Sequence, residues 1–294
     1  MPTVLDATLL NDPGCPWGYS ANPDFAVLRW RYGDRLRWRL VMIGLAEDTE
    51  RYERSGYTPA GMAQGYVSFR ERFGMPFEAT PRPRIAATGR ACRAIVATRL
   101  VRPGREWAAL RALQFGWFCS DAVLDEDGAI ATALESIDDL DVSAVMAAID
   151  DEQTEAAYQR DREEARRAAG TPTEAQGKTS TSDGPVRYTA PSVVLFDGNG
   201  AVTEAGGFQS IEAYDVCVAN LDPSLPRRPP PDDPHEALAA FDHGLTTQEV
   251  AAILAPPLIE PDRAAAEARL LELVGEGRAE RTPLGDDALW HAVG

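Results

Sequence analysis

Residues 11–20, Asn-Asp-Pro-Gly-Cys-Pro-Trp-Gly-Tyr-Ser, contain the side chain best suited to chemistry, the thiol of Cys15. Pro16 follows it, and proline is favoured at the first position of a helix because its missing N–H would be unpaired there. A cysteine at such a point has free backbone N–H groups and the positive end of the helix dipole beside its sulfur. We therefore expect Cys15 to be a partly exposed nucleophile, with a thiol pKa well below the free-cysteine value of about 8.5.

The decapeptide resembles the active-site turn of the DsbA-like branch of the thioredoxin superfamily, whose usual form is Asp-x-x-Cys-Pro-Trp-Cys. Asp12, Cys15, Pro16 and Trp17 match this pattern. Gly18 stands where the family has a second cysteine, which resolves the mixed disulfide formed by the first. The resemblance implies a thiol-disulfide oxidoreductase or thiol transferase that uses Cys15 alone. It would rely on an external low-molecular-weight thiol of glutathione or mycothiol type, with no tightly bound cofactor.

Two other interpretations also fit the missing cysteine. A site similar to the kappa-class glutathione transferases and hydroxychromene-carboxylate isomerases would bind a thiol and activate it towards an electrophile. Those relatives usually carry serine where this chain has Cys15. A redox-silent fold retained for binding or as a scaffold would use no thiol chemistry.

The aromatic residues of the turn also allow two interpretations, because Trp17 and Tyr19 either form an apolar rim for a substrate or pack in the core. If only the resolving residue has been lost, Gly18→Cys should restore an intramolecular disulfide.

The distribution of histidines limits the other kinds of site. His235, His243 and His291 all lie near the end of the chain, far in sequence from Cys15. A Cys-His pair, a Ser-His-Asp triad or a histidine-rich metal site would need a histidine from another domain. We therefore expect no metal site.

The segments around Cys15 alternate as an α/β fold requires. Residues 3–10 and 36–43 read as strands that flank a helical segment, which implies two parallel strands joined by a crossover. Residues 193–196 and 201–205 read as a hairpin, and residues 211–221 as a helix with one apolar face. These two groups resemble the two halves of the thioredoxin fold.

Pro191 lies just before the predicted hairpin. In the family that the sequence resembles, a proline at this point is cis and faces the active cysteine. The resemblance therefore implies that the Ala190–Pro191 bond is cis, that it contacts Cys15, and that these two residues help to bind the substrate. A proline that merely starts a strand is the alternative.

The domain organisation follows from where the strand signals stop. Residues 1–221 are predicted to form a thioredoxin-like α/β fold with a large helical insertion at about residues 58–170; an independent helical domain is the alternative. Residues 171–187 are small and polar, which predicts a mobile loop. Residues 222–234 form a proline-rich linker. Residues 235–294 resemble a small winged-helix domain.

Composition and charge limit the partners. The 294-residue chain carries a net charge of −17, which argues against binding nucleic acid or an anionic membrane surface. Residues 235–294 hold eleven acidic residues against four arginines, a net of −7, so this domain is expected to dock on the thioredoxin-like part or on a second subunit. The second case would make the chain a homodimer.

The sequence shows neither a signal peptide nor a membrane span, so we expect a cytoplasmic protein. The single lysine and the abundant alanines hint at a bacterial source with a GC-rich genome.

The other cysteines are expected to be reduced. They are widely spaced and form no C-x-x-C pair, so in a reducing compartment they predict free thiols. Each is expected to be a small core residue: Cys92, Cys119 and Cys217.

Overall fold

The computed structural model describes residues 4–182 and 184–294. Its strands are β1 (Leu5–Asn11), β2 (Leu36–Met42), β3 (Thr179–Ser180), β4 (Arg187–Tyr188), β5 (Ser192–Phe196), β6 (Val202–Ala205), β7 (Leu245–Thr246), β8 (Ala279–Leu284) and β9 (Asp287–Ala292). Its helices are α1 (Pro16–Ser20), α2 (Asn22–Tyr32), α3 (Glu50–Arg54), α4 (Pro59–Phe73), α5 (Gly89–Val101), α6 (Glu106–Phe118), α7 (Asp127–Leu134), α8 (Val142–Ala148), α9 (Glu152–Ala165), α10 (Pro172–Ala175), α11 (Ile211–Leu221), α12 (Pro234–Ala239), α13 (Thr247–Leu254) and α14 (Arg263–Gly275).

The central sheet has the strand order β2-β1-β5-β6. β1 runs parallel to β2, with Leu5 opposite Leu36, and antiparallel to β5, with Leu9 opposite Val193. β6 pairs antiparallel with β5. The parallel pair needs a crossover, which α1 and α2 supply, so the carboxyl end of β1 leads directly into the Cys15 turn. The two predicted halves therefore meet in one sheet.

The helices between β2 and β5 form the predicted insertion, although they begin with α3 at Glu50 and not at residue 58. They share one hydrophobic core with the sheet, because Tyr66, Ile95 and Leu113 belong to the same buried cluster as Leu9. A shared core does not fit the alternative of an independent helical domain.

The predicted mobile loop at residues 171–187 is wrong for the residues of this segment that the structure describes; Asp183 lies outside them. The segment contains α10 and the short β3–β4 pair. The Thr171 hydroxyl caps α10 by accepting from the N–H of Glu174. The buried Thr173 donates to Glu204 on β6 from both its backbone N–H and its hydroxyl, at 3.1 and 2.6 Å. Small polar residues thus hold this segment on the sheet.

Residues 234–294 form a second sheet, β7-β9-β8, with α12, α13 and α14. Thr246 and Glu249, a Thr-x-x-Glu pattern that is visible in the sequence, make a capping box at the start of α13. Trp290 is fully buried, and its indole N–H donates to the Thr247 hydroxyl at 2.9 Å. The winged-helix likeness of this region stays a prediction. We call residues 234–294 the C-terminal module.

The C-terminal module packs against α2, where Val27 and Trp30 join a cluster with Val250 and Ile253. The linker also lies on α2, because the indole N–H of Trp30 donates to the carbonyl of Pro229 at 2.8 Å. The module therefore docks on the thioredoxin-like part of the same chain.

A buried ion pair joins the module to α6. The Arg111 guanidinium donates to both carboxylate oxygens of Glu249, at 2.5 and 2.6 Å, and to the carbonyl of Gly244 at 3.1 Å. His243 lies beside this pair, with its Nε2 3.0 Å from a guanidinium nitrogen of Arg29. Burial and the positive charges of Arg111 and Arg29 lower the pKa of His243 to about 4. The interface therefore contains a neutral histidine between two arginines.

Candidate active site

The turn before α1 is held by the buried carboxylate of Asp12. Its oxygens accept from the N–H of Gly14 at 2.9 Å, the N–H of Leu45 at 2.8 Å and the hydroxyl of Thr88 at 3.0 Å. Burial raises the pKa of Asp12, and these donors oppose that rise. Asp12 thus ties the turn to the loop after β2 and to the start of α5.

The sulfur of Cys15 lies between two kinds of backbone group. Its S–H donates to the carbonyl of Ala190 at 3.4 Å, across 175 positions of sequence. The backbone N–H groups of Gly18 and Trp17 also interact with the sulfur and act to lower the pKa of Cys15. The Ala190–Pro191 peptide bond is cis, as the sequence predicts. The fold therefore brings Cys15 and the segment before β5 together at one end of the sheet.

The expectation of a partly exposed thiol with a low pKa is wrong. The Cys15 side chain is 6% exposed, and burial raises its pKa to about 12. The N–H groups of Gly18 and Trp17 act to lower this pKa, but the negative charge of Asp12 adds to the rise. The helix that follows Cys15 has five residues, so few aligned peptide dipoles offset the loss of water. Cys15 is a protonated thiol at neutral pH.

Gly18 lies against Asn11, the last residue of β1. A Cβ built on Gly18 would overlap Asn11 Oδ1 and lie 3.0 Å from Asn11 Cγ. Asn11 is fully buried, and its Oδ1 accepts from the N–H of Asp12 at 2.9 Å. Its amide nitrogen has no hydrogen-bond partner among the described residues. Any side chain at position 18 would therefore require the buried Asn11 side chain to move, a constraint that is not visible in the sequence.

Four aromatic side chains surround the exposed face of the turn. Trp17 is 39% exposed, and its ring meets those of Phe69, Phe73 and Phe208 edge-on, with centroids 4.9, 5.7 and 5.6 Å away. The Arg72 guanidinium lies 5.8 Å from the centre of the Trp17 ring. We call these four rings the aromatic rim. The i,i+4 spacing of Phe69 and Phe73 is visible in the sequence, but Phe208 comes from a distant loop.

Tyr19 does not belong to the aromatic rim. It is fully buried, its hydroxyl donates to the carbonyl of Pro76 at 2.9 Å, and its ring stacks on Phe118 at 4.8 Å. Of the two readings that the sequence allowed for Tyr19, the structure favours core packing.

Solved structures with the same architecture extend these observations. A "putative protein disulfide isomerase" from Nitrosomonas europaea aligns with a TM-score of 0.56 and 15% identity, over 74% of this chain and 97% of the other. A "probable DsbA oxidoreductase" from Streptomyces coelicolor aligns with a TM-score of 0.54 and 17% identity, over 75% and 91%. The chain has a DsbA-like thioredoxin fold. No protein-family model matches it, and no curated protein matches its sequence.

The remaining cysteines of this DsbA-like fold are free thiols, and the Cys92 sulfur donates to the Asp12 carboxylate at 3.5 Å. Cys92 is fully buried, Cys217 is half-buried on α11, and the half-buried Cys119 has its sulfur 3.2 Å from the Tyr19 hydroxyl. In the part of the chain that the structure describes, no group of histidine, cysteine and acidic residues could hold a metal ion. Within residues 4–182 and 184–294, no helix is long and apolar enough to cross a bilayer.

The raised pKa of Cys15 predicts how its reactivity depends on pH. Because the thiolate is the nucleophile, its alkylation rate in the folded protein should rise about tenfold per pH unit from pH 7 to pH 10. The rate is measured with iodoacetamide and mass mapping of the Cys15 peptide. The same thiol in urea is the control, and its rate should level off near pH 8.5 to 9. A plateau below pH 9 in the folded protein would contradict the burial argument.

Proposed function

We propose that the chain is a thiol-disulfide oxidoreductase or thiol transferase in which Cys15 is the single nucleophile. The observation that carries this proposal is the environment of its sulfur, whose S–H donates to the carbonyl of Ala190 and whose pKa the backbone N–H groups of Gly18 and Trp17 act to lower. Those two donors stabilise the thiolate whenever the proton leaves. The likeness in fold to structures named for disulfide chemistry supports the same choice.

The proposed reaction has two exchanges. The Cys15 sulfur attacks a disulfide RSSR, a new S–S bond forms, the old one breaks, and the Cys15 proton passes to the departing thiolate as RSH. A cytoplasmic thiol R′SH of glutathione or mycothiol type then attacks the substrate sulfur of the mixed disulfide, leaves with it as the disulfide R′S–SR, and gives its proton to Cys15, which returns to the thiol. The second thiol is needed because Gly18 supplies no resolving sulfur. With a pKa of about 12, only about one Cys15 in 10⁵ is a thiolate at pH 7, so the rate of exchange should rise with pH.

The aromatic rim suits one part of the substrate. Its rings are half-buried or exposed beside the turn, and the guanidinium of Arg72 adds a positive charge over Trp17. Aromatic faces bind apolar and aromatic groups through burial and edge-to-face contact. The favoured substrates are therefore disulfides with an apolar or aromatic substituent next to the sulfur.

A binding role without thiol chemistry is the second candidate, and one observation favours it. Cys15 is nearly inaccessible, with a protonated sulfur that already donates to a backbone carbonyl. In that case the aromatic rim would be the binding surface, and Cys15 a small buried residue.

A thiol-transfer assay separates the two candidates. The protein is mixed with a small aromatic disulfide and an excess of glutathione or, in a separate run, mycothiol, and the release of the aromatic thiol is followed. We expect the wild-type chain to accelerate the release and Cys15→Ser to return it to the uncatalysed rate. Cys217→Ser, which alters a half-buried thiol on α11, is the matched control and should keep the activity. No acceleration with either thiol, or full activity in Cys15→Ser, would favour the binding role.

A further inference from the structure

A cavity of about 620 Å³ lies where the linker, the end of α2 and the end of α12 meet. This volume is within the range of about 300–1,000 Å³ that is usual for small-molecule sites. Neither Cys15 nor any residue of the aromatic rim lines it. We call it the junction cavity, and its lining comprises residues 29–36, 38, 226–228, 240 and 241.

The lining of the junction cavity is strongly basic in a chain whose net charge is −17. It holds five arginines and one acidic residue, Asp34. Two of the arginines are engaged elsewhere, because Arg31 pairs with Asp215 and Arg29 contacts His243. The remaining three are Arg35, Arg227 and Arg228.

Two of these three arginines have no carboxylate partner among the described residues. Arg35 makes no side-chain ion pair or hydrogen bond within residues 4–182 and 184–294. Arg228 makes one ion pair, with Glu236 at 3.7 Å. Arg227 donates to the hydroxyl of Tyr32 at 2.9 Å, which does not neutralise it. Three guanidinium groups with one carboxylate partner between them favour an anion in the cavity that they line, and phosphate oxygens match their geometry.

The same cavity has aromatic walls. Trp30, Tyr32, Trp38 and Phe241 all line it. The Arg228 guanidinium lies 3.4 Å from the centre of the Trp30 ring, so a cation and an aromatic face are already stacked there. Trp38 and Phe241 are half-buried, whereas Trp30 and Tyr32 are buried, so the first two rings are the ones that a ligand in the cavity can reach.

We propose that the junction cavity binds an aromatic anion of the nucleoside phosphate class. The phosphate would lie on Arg35, Arg227 and Arg228, and the base against the half-buried rings of Trp38 and Phe241. A ligand here would touch both the thioredoxin-like part and the C-terminal module, since the lining comes from both. This site does not depend on the reaction proposed for Cys15.

The test is isothermal titration calorimetry of the full chain with AMP, ATP, adenosine and inorganic phosphate. We expect AMP or ATP to bind at least about tenfold more tightly than adenosine or phosphate, because each of the latter lacks one half of the recognition. Arg35→Gln and Arg228→Gln should each weaken nucleotide binding about tenfold or more, as expected for the loss of a charged hydrogen bond. Arg54→Gln, an exposed arginine outside the cavity, is the matched control and should bind as the wild type does.

Three results would overturn the proposal. They are no binding of either nucleotide, binding of phosphate as tight as that of the nucleotides, and nucleotide binding unchanged in both arginine variants. Cys15→Ser should leave nucleotide binding unchanged, so failure here is separate from failure of the thiol chemistry.

Discussion

Replacing Glu249 by alanine is expected to destabilise the folded chain by about 3–5 kcal/mol, because it leaves a buried arginine without its partner. The side chains of Arg111 and Glu249 are 7% and 1% exposed. Although burial acts to raise the pKa of Glu249, the charge and hydrogen bonds of Arg111 lower it, so the pair is ionised at neutral pH. Glu249 also accepts from the N–H of Thr246 at 2.7 Å, and the start of α13 loses this contact too.

Denaturant unfolding at pH 7 measures this loss. Glu272→Ala, an exposed acidic residue on α14, is the control and should change the free energy of unfolding by less than about 0.5 kcal/mol. Replacing both Arg111 and Glu249 by methionine should recover part of the loss, because no unpaired charge then stays buried. A cost below about 1 kcal/mol for Glu249→Ala would show that this ion pair does not hold the C-terminal module in place.

The second large effect is expected from Gly18→Cys, which should form no disulfide with Cys15. The new Cβ would overlap the buried Asn11 side chain, and overpacking of this kind costs about 1–3 kcal/mol. Asn11→Ala combined with Gly18→Cys removes the overlap, and this double variant should form the disulfide in oxidised glutathione. Thiol titration and denaturant unfolding measure both outcomes, with the Asn11→Ala single variant as reference.

Gly128→Cys is the matched control for adding a thiol at a helical glycine. Nothing lies within 4 Å of a Cβ at this position, so the substitution should cost little stability. A disulfide in the Gly18→Cys single variant, formed without loss of stability, would show that Asn11 does not block the position. That result would also restore the expectation drawn from the sequence.

The features that the sequence predicted correctly depend on short-range signals. The α11 helix has the predicted bounds of 211 and 221, and the Thr246–Glu249 capping box is recognisable from four residues. The cis bond at Pro191 followed from a family motif beside a strand. The match of Asp12, Cys15, Pro16 and Trp17 to the same motif led to the correct fold.

The features that the sequence missed depend on segments far apart in the chain. Cys15 loses its contact with water because residues near Ala190, which follow it by 175 positions, close over its sulfur. The sequence reveals the helix dipole beside Cys15, but the loss of water around its sulfur depends on tertiary packing. That loss of water has the larger effect on the pKa of Cys15. The overlap between the Asn11 side chain and a Cβ at position 18 is likewise not visible in the sequence, because the distance between them depends on how β1 and α1 are placed.

The reactivity of Cys15 is tested most directly by the intact mass of the folded wild-type chain after incubation with oxidised glutathione at pH 8, followed by peptide mapping. We expect one glutathione adduct, located on Cys15, that accumulates because no second cysteine resolves it. Cys15→Ser should lose this adduct and Cys217→Ser should keep it. An unmodified Cys15 in the folded chain, or an adduct on Cys119 or Cys217 in its place, would contradict the claim that Cys15 is the reactive centre.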